Sequence, residues 1–234
     1  MRFLEKPFAR SPPAVRVAPF VIFLALTFCQ GRFGAASACW FYLGKTLAGA
    51  WLIREMRPFV SEMRWAVSWE AVAVGVGIFV VWVGVSGDWT TQNSLWSKLG
   101  LVHAPLTPPW NPNGLFGRGS ALAGMFIAAR LLGSTLVVPP LEEVFYRSFL
   151  YRYAARQDFL SVPLNRFLPG PFWVTALIFG FSHNEWLAGV LCGAAFQWLV
   201  LRKNRLGDAM TAHAVTNFLL GIWVVWRGAW QFWG

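Results

Sequence analysis

The stretch VVPPLEEVFYRSFLYR, Val137 to Arg152, sets two adjacent glutamates and an arginine in a segment otherwise apolar enough for lipid. Ionisable side chains inside a membrane segment are costly, and they usually face a cavity or a partner. Pro139 and Pro140 sit badly in a helix interior and suit the approach to a helix start. The glutamates are then expected in a first turn, where the macrodipole favours negative charge. Glu143 and Arg147 are four residues apart, on one face, with the glutamate first. Glu142 points about 100° away around the axis and lacks that partner. The spacing divides the labour: Glu143 and Arg147 brace the helix, and Glu142 is free. The competing reading is a helix at the membrane interface with its charges among headgroups, which Arg152 and Arg156 favour.

Composition supports the membrane environment. The 234 residues are 56% hydrophobic and 13% charged, against roughly 25% charged in a soluble domain. One domain of ordinary size cannot bury so much apolar surface within itself, and the chain is too short for two well-filled ones. The net charge of +10 is not the footprint of nucleic-acid binding, because the basic residues gather between apolar runs. Arg2, Lys6, Arg10 and Arg16 form one group, Arg54, Arg57 and Arg64 a second, and Arg202, Lys203 and Arg205 a third. Such clusters suit loops on the cytoplasmic side, facing anionic lipid. The 15 Trp, many near run ends, suit an interfacial belt. Cys29, Cys39 and Cys192 lie in apolar segments without metal spacing and read as buried thiols.

Candidate helices cover 17–30, 34–53, 68–86, 120–138, 171–182, 186–201 and 208–227, with a more polar helix at 141–157. The run from Val17 to Cys29 imitates a signal peptide, but further runs follow at once, so a retained helix is expected. The fold class is all-α: a polytopic membrane protein of about seven to eight helices enclosing an intramembrane polar cavity. Residues 1–234 form a single domain, and the Pro-rich segment 87–119 reads as an extramembrane loop with a short interfacial helix near Leu95 to Val102. Parity raises a conflict. If 120–138 and 141–157 both cross, the cluster at 202–205 falls on the opposite side from the other two.

Two further polar sites interrupt the apolar helices. His183, in FGFSHNEW, ends one run, and Asn184 and Glu185 beside it read as turn and capping groups. His213 and Asn217, in DAMTAHAVTNFLLG, are four residues apart and emerge on one helix face. Each could be a packing or interhelical group; together they allow chemistry. A carboxylate and a histidine can take a proton from water, and further donors can stabilise an oxyanion. Alternatively, Glu142, His183 and His213 could bind zinc with an open fourth position. HExxH and GxSxG motifs are absent, and spacing alone leaves the choice open. His103, in the Pro-rich segment, receives no role.

The three motifs Glu142-Glu143-x-x-x-Arg147, Phe179-x-x-x-His183 and His213-x-x-x-Asn217 follow one another in the order EExxxR, FxxxH, HxxxN within 139–217. In that order they resemble the CAAX protease and bacteriocin-processing (Abi) family of intramembrane glutamate-type endopeptidases. The resemblance implies that Glu142 and His183 activate a water for attack on a peptide carbonyl. It implies an oxyanion hole from His213 and Asn217, with Glu143 and Arg147 in support, and no cofactor or metal. The implied partners are a peptide or lipid-modified protein substrate and membrane lipids, with no nucleic acid. A bacterial inner membrane is the expected location, and the basic cluster before residue 17 asks for a cytoplasmic N-terminus. A non-catalytic scaffold or immunity protein that retains the helices is the alternative, and a small transporter is disfavoured because no inverted repeat is visible.

Overall fold

The computed structural model describes residues 4–87, 90–99 and 110–233. His103 and much of the Pro-rich loop expected over 87–119 lie outside the described residues. Among the described residues there is no strand, and ten helices follow one another. They are α1 (Glu5–Arg10), α2 (Pro12–Phe28), α3 (Ser37–Met56), α4 (Trp69–Val85), α5 (Gln92–Lys98), α6 (Pro112–Phe116), α7 (Ala121–Tyr153), α8 (Pro169–Phe181), α9 (Trp186–Lys203) and α10 (Gly207–Arg227). Seven of these are long, as the all-α polytopic reading requires, and α1, α5 and α6 are short connectors.

Local chemistry sets the boundaries. Ser11, Ser68 and Ser120 each accept a hydrogen bond from a backbone N–H three residues on, capping α2, α4 and α7. Asn204 ends α9 in the left-handed conformation at φ 50°, and Gly228 ends α10 at φ 67°. Helices α7 and α10 are long and apolar enough to cross a bilayer by length and composition. Around the bundle Trp51, Val80, Trp173, Leu177, Phe218 and Ile222 remain exposed, the apolar outer surface of an integral membrane protein.

The principal correction to the sequence reading concerns α7. Segments 120–138 and 141–157 are one helix of 33 residues that runs through Pro139 and Pro140. Its turns widen to π geometry over Gly133–Val137 and again over Val144–Leu150. Proline cannot donate to the helical ladder, and its ring crowds the preceding turn; a widened turn just before Pro139–Pro140 accommodates both defects. The glutamates therefore lie deep in a helix and not in its first turn, so the macrodipole does not explain them.

The merger also removes the parity conflict. With one α7, the starts of α2, α4 and α10 and the ends of α3, α7 and α9 meet at one end of the bundle. Glu62, after α3, accepts from Arg16 Nη2 at 2.8 Å and from Arg152 Nη2 at 2.9 Å. Glu70 pairs with Arg202 and Lys203, and Ser68 Oγ donates to Asp208 at 2.5 Å. At the other end, Gln92 Nε2 donates to the carbonyls of Phe181 at 2.5 Å and His183 at 2.7 Å. The described members of all three basic clusters thus share one end.

Two pairs of helices approach at backbone distance. In the α8–α9 hairpin, a Cβ placed on Gly189 would lie 2.8 Å from Gly180 Cα, and one on Gly193 would lie 3.1 Å from Ala176 Cα. Residues 176, 180, 189 and 193 make two small-residue stripes that interlock, the packing expected where lipid offers no hydrophobic drive. Between α4 and α10, a Cβ on Gly75 would lie 2.6 Å from the Ala212 carbonyl, and Thr216 Oγ1 donates to the Gly75 carbonyl at 2.9 Å. These contacts fix the helices that carry His183 and His213.

Candidate active site

The π turn around Gly133 sets the site's first element. The Val138 N–H bonds the Gly133 carbonyl five residues back, and Pro139 has no N–H, so the Ser134 carbonyl lacks its helical donor. Asn217 Nδ2 from α10 donates to it at 2.8 Å. A buried carbonyl without a donor is costly, and the asparagine removes that cost while tying α10 to α7. The contact also fixes the carboxamide with a second N–H unused in this bond.

One turn further, the two glutamates separate as their spacing suggested. Glu143 is fully buried and stands between two cationic or cation-forming groups. Arg147 Nε lies 3.2 Å from Oε2, and His213 Nδ1 lies 2.8 Å from Oε1. The Arg147 contact is an ion pair without a well-directed hydrogen bond. Its guanidinium is instead held by the Gly193 carbonyl at 3.3 Å and by the Phe179 ring at 4.4 Å. Because a carboxylate only accepts, the His213 contact places the proton on Nδ1, leaving Nε2 for the cavity. Glu142 has no donor to its buried Oε2 among the described residues.

His183 follows the C-terminus of α8, where carbonyls are left without helical partners. Its Nδ1 lies 2.7 Å from one of these, Phe179 O, so Nδ1–H donates and Nε2 carries the lone pair in the neutral ring. Ser182 Oγ donates to the same carbonyl at 2.7 Å, and Tyr146 OH donates to Ser182 Oγ at 3.1 Å. Trp82 and Phe179 wall the imidazole at ring-centroid distances of 5.5 and 4.6 Å. Glu185 stands at the N-cap of α9 but makes no capping bond through its side chain, so that expectation fails. Its neighbour Asn184 meets α5 through the backbone, accepting from Gln92 N–H at 2.8 Å.

A single cavity of ≈ 290 Å³ gathers Glu142, His183, His213 and Asn217 along its wall. Glu143 and Arg147 stand behind His213 and do not line it. Among the described residues no group of three or more His, Cys, Asp or Glu side chains is placed to hold a metal ion. The three cysteines are free thiols, with Cys39 and Cys192 buried and Cys29 half-buried.

Sequence reasoning missed several residues in this wall or behind it. Tyr146 and Ser182 order His183, and neither is distinctive in isolation. Lys45 of α3 and Arg130 of α7 also line the cavity. They had a readable signal, since each is a lone cation in an apolar helix.

Residues 123–219 match the family model described as type II CAAX prenyl endopeptidase, Rce1-like. The match spans all three motifs. Comparison with curated proteins and with solved structures gives no match.

Proposed function

We propose, from the match of residues 123–219 to the Rce1-like type II CAAX prenyl endopeptidase family model, that this chain is a CAAX protease-type membrane peptidase that uses a glutamate and not a metal. Glu142 and His183 share the proton of a water molecule, and the hydroxide that forms attacks a peptide carbonyl near the C-terminus of a membrane-associated protein. The carbonyl oxygen becomes an oxyanion that accepts from Asn217 Nδ2–H and from His213 in its protonated form. Collapse of the tetrahedral species breaks the C–N bond, and the stored proton passes to the leaving amine. Glu143 acts through His213: it holds Nδ1–H and offsets the imidazolium charge, while Arg147 supplies the counter-charge that keeps Glu143 in place.

The observation that carries this reading is the convergence of Glu142, His183, His213 and Asn217 on one cavity, with Glu142 Oε2 lacking a donor among the described residues and both imidazoles held through Nδ1. The substrate is a prenylated or otherwise membrane-anchored C-terminal region that enters from the bilayer. The shared end of the basic clusters faces the cytoplasm by the positive-inside rule, as in a bacterial inner membrane, with the N-terminus on that side.

The test is cleavage of a prenylated CAAX peptide by the full chain in vesicles. Glu142→Gln is expected to lower kcat by about a hundredfold to ten-thousandfold with an unchanged melting temperature, and a chelator is expected to leave the wild-type rate intact. A fully active Glu142→Gln enzyme refutes the mechanism; zinc-reversible loss on chelation transfers it to a metal.

A further inference from the structure

The cavity holds more positive charge than the proposed chemistry uses. Lys45 is only 6% exposed, and its Nζ donates to Thr27 Oγ1 at 2.9 Å while standing 4.7 Å from the centroids of the Phe23 and Tyr42 rings. Arg130 donates from Nη2 to the Trp233 carbonyl at 3.0 Å, with its Cζ 4.5 Å from Tyr42 and 4.9 Å from Trp110. Both stand over the same Tyr42 ring, so they are neighbours. Neither has a carboxylate within ion-pair distance among the described residues. Aromatic faces and neutral oxygens orient a cation but do not neutralise it.

Burying two such cations in a membrane protein is costly, and groups of this kind mark sites that meet a counter-charge. Two carboxylates share the cavity wall, Glu142, which the hydrolytic reading needs for water, and Glu185 at the His183 tip, and neither lies within ion-pair distance of Lys45 or Arg130. The space is small: about 290 Å³ lies at the lower limit for sites that take small ligands, enough for a short stretch of peptide and not for a folded segment. A peptide backbone is neutral except at its end. An apolar C-terminal segment offers one anion, its α-carboxylate.

Resting on the endopeptidase reading above, we propose that Lys45 and Arg130 form the receptor for the α-carboxylate at the substrate's C-terminus. The carboxylate docks against the two cations with charge-assisted hydrogen bonds, and the scissile carbonyl is held at Glu142 and His183. The cut is thereby measured from the chain end: water adds across one peptide bond, the retained protein gains a new carboxylate, and a short peptide with a free amine leaves. An internal loop of the same sequence lacks the anion and is a poor substrate. Lys45 and Arg130 are specificity residues in this scheme and take no part in the proton transfers.

The experiment compares one prenylated CAAX peptide in two forms, free acid and C-terminal amide, cleaved by the full chain in neutral phosphatidylcholine vesicles. Wild type is expected to favour the acid in kcat/KM by about ten- to a hundredfold, the worth of one hydrogen bond to a charged group. Lys45→Met and Arg130→Gln are each expected to pull the acid-to-amide ratio toward one, and Lys45→Arg to keep most of it. Equal cleavage of acid and amide by wild type overturns the proposal without any variant needing to fold. So does a ratio that survives both charge-removing substitutions. If neither form is cleaved, the endopeptidase reading fails, and binding decides the receptor separately. Acid and amide are then titrated against Glu142→Gln protein, and equal affinities overturn it. A final arm adds phosphatidylglycerol. Protection of Lys45 from amine labelling by that lipid, with no acid preference in neutral vesicles, would assign the cations to a lipid phosphate and overturn the carboxylate receptor.

Discussion

At the residue scale the two adjacent glutamates illustrate how one helix gives like side chains unlike work. Glu142 faces a cavity and has no donor to Oε2 among the described residues, whereas Glu143 is held between Arg147 and His213. Their substitutions should fail differently. Glu143→Gln leaves the buried Arg147 without its counter-charge, a defect of about 3–5 kcal/mol. The expected outcome is a large drop in melting temperature in detergent together with lost cleavage, against the unchanged stability expected of Glu142→Gln. Much of this division was legible in the sequence, because i,i+4 spacing pairs Glu143 with Arg147 whatever surrounds the helix. Lys45 and Arg130 were equally legible by the same cost argument. They passed unnoticed because attention to carboxylates and imidazoles ranks cations as topology signals only.

At the scale of elements, the decisive feature is the continuous α7. Local propensity places a boundary at Pro139–Pro140, and it is wrong for a physical reason: the defect is repaired by another helix. A π turn shifts the register, and Asn217 of α10 supplies the donor that Pro139 cannot. No local signal reports a partner 83 residues away. Pro139→Ala restores an N–H that can satisfy the Ser134 carbonyl from within α7. The expected outcome is unchanged or higher thermal stability with cleavage reduced, since Asn217 is no longer fixed. Loss of stability without loss of rate would speak against this coupling. The α8–α9 boundaries, by contrast, were readable to within two residues, because there the apolar runs and the polar SHNE tip coincide with the helix ends.

At the scale of the whole molecule, the merged α7 fixes sidedness. Single cysteines at Arg57 and Asn204 should react with a membrane-impermeant thiol reagent from the same side, and one at Arg118 from the other. Labelling of Arg57 and Asn204 from opposite sides would break the topology. The basic end also carries a pH-sensitive staple. Burial alone would raise the Glu62 carboxyl, but the Arg16 charge and the hydrogen bonds from Ser148 and Arg16 outweigh it and hold it below its ordinary value. A carboxyl lowered on folding stabilises above its unfolded pKa, about 4.3, and that contribution is lost as pH falls through the lower folded value. Melting temperature should therefore decline below about pH 4, and Glu62→Gln should be less stable at neutral pH and show a shallower decline. An identical acid limb in both proteins would remove Glu62 from the account.

The α8 helix has 13 residues, about 20 Å of rise, against a hydrocarbon core of about 30 Å. That mismatch has a consequence for solvent supply. Lipids beside a short span thin or tilt to meet it, and a span of this length would draw the polar Ser182–Glu185 tip beneath the headgroup plane. Headgroup hydration would follow it down. A hydrolase needs water as reagent, and a dimple in the leaflet at this tip would deliver it to His183. Thicker bilayers would fill the dimple and starve the reaction.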